Sequence, residues 1–496
     1  MKVLRVLCVL ALVALFAGAA YAETQSVKVS GDLTMRGIFR SAYDYRGSTP
    51  EPDIVRTGLT ADTGVPGTPQ SWFMTVAAVQ IDADMTDNVS TCIRLFNERD
   101  WDVRTKAIAQ GTGMQPNGDG GYVANMNDFN VNVDLAYVTL KEFIYSPLTV
   151  TIGRQDLWFG KGFIVGANLP QTQYNQAIVT GYGRLRAPEY SEATAFDSIK
   201  AVLDYDPWTI TGVYAKIWEN EISPADDVDL WGVNVGYKFD QYRAEAEAYW
   251  FYKDDQEVEK WAGNKGSNSV NTLGLRGSFD PIDVVTIAAE GAYQFGSVIN
   301  SRSQLNEVDR SAWALDIAAE WRVFQDRYAW KPKLAAEYIM YSGSSDEQVV
   351  NNATGTWHGW DRMFRGKYDS AIREWVGTYY ASYDYPARAN YINSCADASY
   401  TNQHQVAFTG SIQPVESLTL QAKYLLFWTY ADYLYNVGDN IHNGGFIGQE
   451  VDLTADWDYT EDVSFGLLGA FFVPGDVYVN ADKTATDVVG TVKVSF

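Results

Sequence analysis

The sequence predicts an all-β chain: a transmembrane, antiparallel, up-and-down β-barrel of about eighteen strands, with long outer loops and short periplasmic turns. Three observations lead there. Apolar residues recur at every second position in stretch after stretch. These stretches run about 10 to 14 residues, enough to cross a bilayer at a tilt, whereas soluble strands average about 5–6. The joints between them alternate short and long, as in bacterial outer-membrane barrels.

The alternation is strict. Val27, Val29, Gly31, Leu33, Met35, Gly37 and Phe39 form one face, with Lys28, Ser30, Asp32, Thr34 and Arg36 between them. Ala244 to Tyr252, Leu273 to Phe279, Trp313 to Trp321 and Val451 to Trp457 repeat the pattern. Period two with one apolar face is a strand. In hydrocarbon a sheet edge leaves backbone groups without partners, so the sheet is expected to close.

Strands are expected near 27–40, 71–83, 89–101, 131–141, 148–159, 195–205, 208–219, 228–239, 241–253, 270–279, 283–296, 310–323, 332–342, 402–412, 417–430, 446–458, 461–473 and 487–496. Short joints such as Thr86-Asp87-Asn88, Asp206-Pro207 and Asp280-Pro281-Ile282 carry turn-forming residues. Long joints fall at 41–70, 102–130, 160–194, 343–401 and 431–445. An even strand number places both termini in the periplasm. Glu374 to Tyr383 could form a further strand pair within 343–401, which keeps counts of 16 and 20 in play. Otherwise 343–401 is an outer loop that can fold into the lumen, and 160–194 is a second candidate constriction.

The first residues address the chain outward. Lys2 and Arg5 precede an apolar run from Val6 to Gly18, and Ala20-Tyr21-Ala22 is a small-residue cleavage site. Residues 1–22 are therefore expected to be a signal peptide and 23–496 a single barrel domain in the Gram-negative outer membrane. Only 20% of residues are charged, yet there are 32 Tyr and 16 Trp, a supply suited to two interfacial girdles. The net charge of −24 falls to −26 once Lys2 and Arg5 are removed, which argues against nucleic-acid binding. Cys92 and Cys395 remain after cleavage and are either bridged or unpaired.

No catalytic constellation stands out, and no enzyme activity is expected. His358, His404 and His442 lack metal-ligand spacing. No cofactor is expected. Asp226-Asp227-Val228-Asp229 and Asp254-Asp255 could hold loop-bound Ca²⁺, with a solvated acidic surface as the alternative. Outward residues must be apolar, so the alternate positions are expected to line the lumen. That set contains Arg36, Arg94, Arg154, Lys200, Arg243, Arg276, Arg322 and Lys423. It also contains Asp32, Glu98, Asp204, Glu245, Glu247, Glu290, Glu320, Glu337, Asp452 and Asp456. Some of these charges are expected to pair across strands. Barrels of about 16–18 strands are wide enough for water, so the charges fit an aqueous channel.

Residues 152–166 read IGRQDLWFGKGFIVG. With FDSIKAVLDY at 196–205, DLWGVNVGYKF at 229–239, EGAYQFG at 290–296 and the closing stretch 447–478, this resembles the alginate-export family of outer-membrane porins. The resemblance implies an eighteen-stranded barrel and places Arg154 among the lumen residues. A departure is Tyr341-Ser342-Gly343-Ser344-Ser345-Asp346, where a tighter Ser-Gly-Asp would be expected. The resemblance also implies that the terminal Phe496 is read by the barrel insertion machinery. The leading expectation is a porin for small polar solutes or oligosaccharides, embedded in lipid and lipopolysaccharide. An exporter of an anionic exopolysaccharide and a scaffold barrel around a partner protein are the alternatives. The oligomeric state is not legible. N-terminal sequencing of the protein from outer membranes is expected to read Glu23-Thr24-Gln25; a chain still beginning at Met1 would overturn the signal-peptide reading.

Overall fold

The computed structural model describes residues 26–42, 69–101, 104–106, 122–124, 131–168, 187–219, 227–256, 268–300, 306–323, 327–343, 356–375, 401–437, 440–476 and 483–496. The signal segment, Cys395 and residues 376–383 of the possible extra strand pair lie outside these. Residues 356–375 are coil closing on one short helical turn, not a strand.

The strands are β1 (Ser26–Ser41), β2 (Gln70–Thr86), β3 (Val89–Asp100), β4 (Arg104–Lys106), β5 (Tyr122–Ala124), β6 (Asn132–Leu140), β7 (Leu148–Gln155), β8 (Phe196–Asp204), β9 (Trp208–Trp218) and β10 (Val228–Phe239). They continue as β11 (Ala244–Asp255), β12 (Asn268–Ile282), β13 (Val285–Asn300), β14 (Asn306–Arg322), β15 (Lys333–Tyr341), β16 (Gln403–Val415), β17 (Leu418–Val437), β18 (Asn440–Asp458), β19 (Val463–Pro474) and β20 (Ala485–Ser495). β4 and β5 pair only with each other; the other eighteen form one antiparallel sheet in which each barrel strand pairs with its neighbours in sequence. The seam closes where β1 pairs with β20 from Asp32↔Ser495 to Ser41↔Thr486. Backbone bonds between Gly31 and Phe496, at 2.8 and 2.9 Å, finish it. The Ala78 carbonyl oxygen lies 2.7 Å from where a Cβ on residue 31 would sit, so only glycine fits there.

Two faces follow from the period of two. On β12, Leu273, Leu275 and Phe279 point outward and are exposed, Leu275 by 68%, while Val270 and Thr272 are buried inside. An exposed apolar face repeated on every barrel strand has no place in water; it is the face that lipid covers. Aromatic pairs mark both margins of that face. Trp208–Tyr237 and Trp457–Phe465 lie toward the short turns, and Tyr214–Trp231 and Trp250–Tyr252 toward the long loops.

The inner face is polar near the short turns and partly apolar near the long loops. Trp72, Met74 and Val76 of β2 and Phe251, Ile339 and Tyr341 of β11 and β15 are buried inside. They are buried because loop segments fold back onto them. Phe163, Ile164, Val165, Trp360, Met363 and Phe364 join the wall residues in one apolar cluster.

Replacing Leu275 with Arg is expected to cost about 2–4 kcal/mol, the penalty for a charge on the lipid face near the midplane. Ser278→Arg, facing the lumen three residues on, should cost far less. Urea titration of folding into lipid vesicles measures both; equal costs would contradict the assignment of faces.

Candidate functional site

The inner wall is assembled by the strand period. On β1, Asp32, Thr34, Arg36, Ile38 and Arg40 alternate inward. Arg36 stacks over the Tyr190 ring at 4.9 Å. On β3, Arg94 binds Asp32 at 3.1 Å, Glu192 at 2.7 Å and also Asp134. Glu98 accepts bonds from Ser191 Oγ at 2.8 Å and Glu192 N at 3.1 Å. Lys200 points inward from β8, and Asp204 closes that strand, accepting from Thr209 Oγ1. Glu245 and Glu247 of β11 share Arg276 of β12, the first at 2.6 Å. Glu290 of β13 accepts from the Tyr249 hydroxyl at 2.8 Å. Nearer the turns, Glu320 pairs with Lys333 at 3.2 Å, and Arg322 donates to Thr286 at 3.0 Å. Asp456 lies on the same inner face of β18, exposed.

Two expected lining residues lie elsewhere. Ile152 and Ile199 are paired and point outward, so Arg154 and its cross-strand partner Asp197, two positions along, point outward too. Their side chains meet at 3.4 Å near the loop end of the barrel. A charge there is above the hydrocarbon, where the rule that outward residues be apolar lapses. Arg243 belongs to no strand: it caps the turn Asp240–Tyr242 in a left-handed conformation (φ 47°), and its side chain pairs with Asp283.

Three loop segments fold inside. Residues 156–168 follow β7, 187–195 precede β8, and 356–375 lie between β15 and β16. The first and third pair with each other. Gly166 N donates to Phe364 O at 2.7 Å, Phe364 N to Ile164 O at 3.0 Å and Gly366 N to Gly162 O at 2.8 Å. The third also adds to the upper edge of β14, with Ser311 N donating to Trp357 O at 2.8 Å. The second segment packs on β1, β2 and β20 through Ala187 and Tyr190. Its Glu189, with Asp487 of β20, holds Arg40.

Charged anchors fix the third segment to the wall. Lys367 Nζ donates to Asp316 at 2.7 Å and Glu337 at 2.5 Å. Lys423 donates to Asp369 O at 2.8 Å. Glu450 accepts from Ser370 Oγ, Ile372 N and Arg373 N at 2.8 to 2.9 Å, and Asp452 from Ala371 N at 3.2 Å. Asp361 binds Lys253 at 2.8 Å. Burial alone would raise the Asp361 carboxyl, but Lys253 and Arg310 outweigh it and hold it at about 2. Burial would lower the Lys367 ammonium, but Asp369, Asp316 and Glu337 hold it well above its ordinary value. Both groups therefore stay charged across the physiological range.

Sequence reasoning missed Arg40, Glu189, Glu192, Asp316, Lys367, Asp369 and Glu450. Arg40, Asp316 and Glu450 share the inward phase of Arg36, Glu320 and Asp452, so the period contained them. The loop residues have no period to reveal them. His358 Nδ1 lies 2.8 Å from Ser311 O, and His404 Nδ1 2.8 Å from the Tyr338 hydroxyl. The side chain of His442 and Asp226 lie outside the described residues. Asp227 and Asp229 are held by Lys216 at 3.3 and 3.0 Å. Cys92 is buried and not bridged.

An eighteen-stranded closed barrel with a lipid-facing apolar belt and a charged, loop-narrowed interior is an outer-membrane barrel of the porin class. The chain matches the Alginate export family over residues 75–491 and belongs to that family. No curated protein matches it. Solved structures share its fold at low identity. Pseudomonas aeruginosa OccK8 (OprE) superposes with a TM-score of 0.51 at 10% identity, over 95% of this chain and 98% of that one. OccK2 (OpdF) of the same organism gives 0.51 at 9%, again over 95% and 98%. OccK9 (OpdG) gives 0.50 at 10%, over 95% and 99%.

Lys367→Met is expected to loosen the third segment, because removing one partner of a buried pair costs about 3–5 kcal/mol. Limited trypsin cleavage at Arg362 and Arg365 should accelerate. Adding Asp316→Asn and Glu337→Gln to the same chain should slow it again; failure of that rescue would refute the anchoring role.

Proposed function

We propose that the barrel is a passive channel for small polar solutes or oligosaccharides, sieved by its infolded segments, and that it performs no catalysis. The observation that carries this reading is the position of residues 356–375. They run inside the barrel against β11, β13, β14, β15, β17 and β18 and pair with residues 162–167. A barrel of this strand number is otherwise wide enough for an aqueous channel, and the segment narrows it. Shape and charge at the narrowing then decide what passes.

No step of this reading requires a nucleophile, cofactor or metal ion. Among the described residues no group of three or more His, Cys, Asp or Glu is arranged to hold a metal. Lipid covers the outer face, lipopolysaccharide meets its loop-end margin, and the terminal Phe496 at the seam presents the signal for insertion. A sheathed partner protein would need the room that the infolded segments occupy.

Membership of the Alginate export family favours a second reading, export of an anionic polysaccharide. The two readings separate in a planar bilayer. A passive porin is expected to give steady conductance that added polyuronate leaves unchanged. Replacing 356–375 by a short Gly-Ser linker should raise the conductance severalfold and admit larger neutral polymers. Unchanged conductance in that variant would overturn the sieving role, and polyuronate block of the native channel would favour export.

A further inference from the structure

The inward cations of this barrel are outnumbered where they stand. Arg94 is shared by three carboxylates, Asp32, Asp134 and Glu192. Arg276 is shared by Glu245 and Glu247. Lys367 is shared by Asp316, Glu337 and Asp369. Arg40 is shared by Glu189 and Asp487. In the first two clusters and the last a single positive charge meets two or three negative ones; around Lys367, Arg365 and Lys423 join through Asp369, and Arg365 also holds Glu374, so three cations face four carboxylates. The reverse occurs where Lys253 and Arg310 share Asp361, deep against the apolar cluster. Elsewhere on the inner face Arg36, Lys200, Arg322 and Lys333 stand with the carboxylates of Glu98, Glu290, Glu320, Glu450, Asp452 and Asp456, again an excess of negative charge.

From this balance we infer that the channel prefers cations and excludes polyanions, so that its solutes are neutral or cationic. The inference deepens the porin reading and rests on it. The clusters lie on opposite walls: Arg94 on β3 with the second infolded segment, Arg276 and Lys367 on β12 and the third. A solute passing the narrowing therefore meets an excess of negative charge on both sides, in a low-dielectric enclosure that strengthens it. Rings of carboxylates select cations in this way, whereas a conduit for a polyanion needs basic side chains free to meet it. Here the Lys367 ammonium and the terminal guanidinium nitrogens of Arg94 and Arg276 already meet carboxylates. Glu245 is the most accessible member, with 46% of its side chain exposed. It is also the point at which the field is most easily altered.

Reversal potential in a potassium chloride gradient tests this. The native channel is expected to favour potassium over chloride roughly threefold or more, as a local potential of order kT/e demands. E245Q/E247Q, which removes both carboxylates paired with Arg276, should bring the ratio toward unity. Asp283→Asn, which removes one negative charge at an exposed turn, should leave it unaltered. Anion selectivity of the native channel would overturn the inference while leaving the porin reading intact, as would an unshifted ratio in folded E245Q/E247Q. Absence of any conductance from folded protein would instead sink the porin reading beneath it. Should E245Q/E247Q fail to fold, Asp32→Asn, at the Arg94 cluster, gives the same readout.

Discussion

Everything in this molecule depends on backbone hydrogen bonds that have no water to fall back on. Within the hydrocarbon an unpaired N–H or C=O costs several kcal/mol, so an open edge is not tolerated and the sheet must close. Closure is made between β1 and β20, where the last residue of the chain returns its backbone to Gly31. A glycine is needed there because the backbone carbonyl of Ala78 on β2 occupies the space of a side chain. Once the ring is closed, the period of two divides each barrel strand between lipid and lumen. The chain has no further freedom in the matter: a shift of one residue in any pairing would turn lumen charges into the membrane.

Closure creates a second problem inside. An eighteen-stranded ring encloses more space than wall side chains can fill. This chain fills part of it with its own loops. The filling is of two kinds, and they do different work. The apolar contact of Phe163, Val165, Trp360 and Phe364 with the upper wall is non-directional and supplies cohesion. The charged contacts of Lys367, Glu450 and Asp361 are directional and fix where the segment runs. Together they describe a fixed constriction, since displacing it would expose both the apolar cluster and several buried charges.

The barrel was legible in the sequence because membrane strands obey a strong rule. Alternation, strand length and joint length each pointed to the same eighteen strands, and the structure places strands at all of them. The site was legible only in part, and the failures have definite causes. Arg154 was placed inside on the premise that outward residues are apolar, which lapses above the hydrocarbon; its neighbour Ile152 already marked the outward phase. Arg243 was placed in a strand that starts one residue later, after a turn closed in a left-handed conformation. The infolded loops carry no period. Joint length had marked 343–401 and 160–194 as segments that can enter the lumen, and β2 adds a second trace: Trp72, Phe73, Met74, Val76, Ala77 and Ala78 run apolar on both its faces, which a strand with water on one side does not require. Such a run in a barrel strand signals that something packs against its lumen face.

The excess of carboxylates inside has a structural reason as well as a consequence for transport. Arginine and lysine side chains brought into the interior by folded loops would be isolated charges in a narrowed, poorly hydrated space. Three carboxylates, Asp316, Glu337 and Asp369, meet Lys367, and two, Asp369 and Glu374, meet Arg365, so several donors are satisfied at once. The same carboxylates repel an anion and take up the terminal donors of Arg94, Arg276 and Lys367, so these cations make a poor binding ladder for one. Fixing the loops and repelling anions are thus one choice of residues. A family member built to pass a polyanion must solve the two problems separately, holding its loops by other contacts and leaving its arginines unengaged.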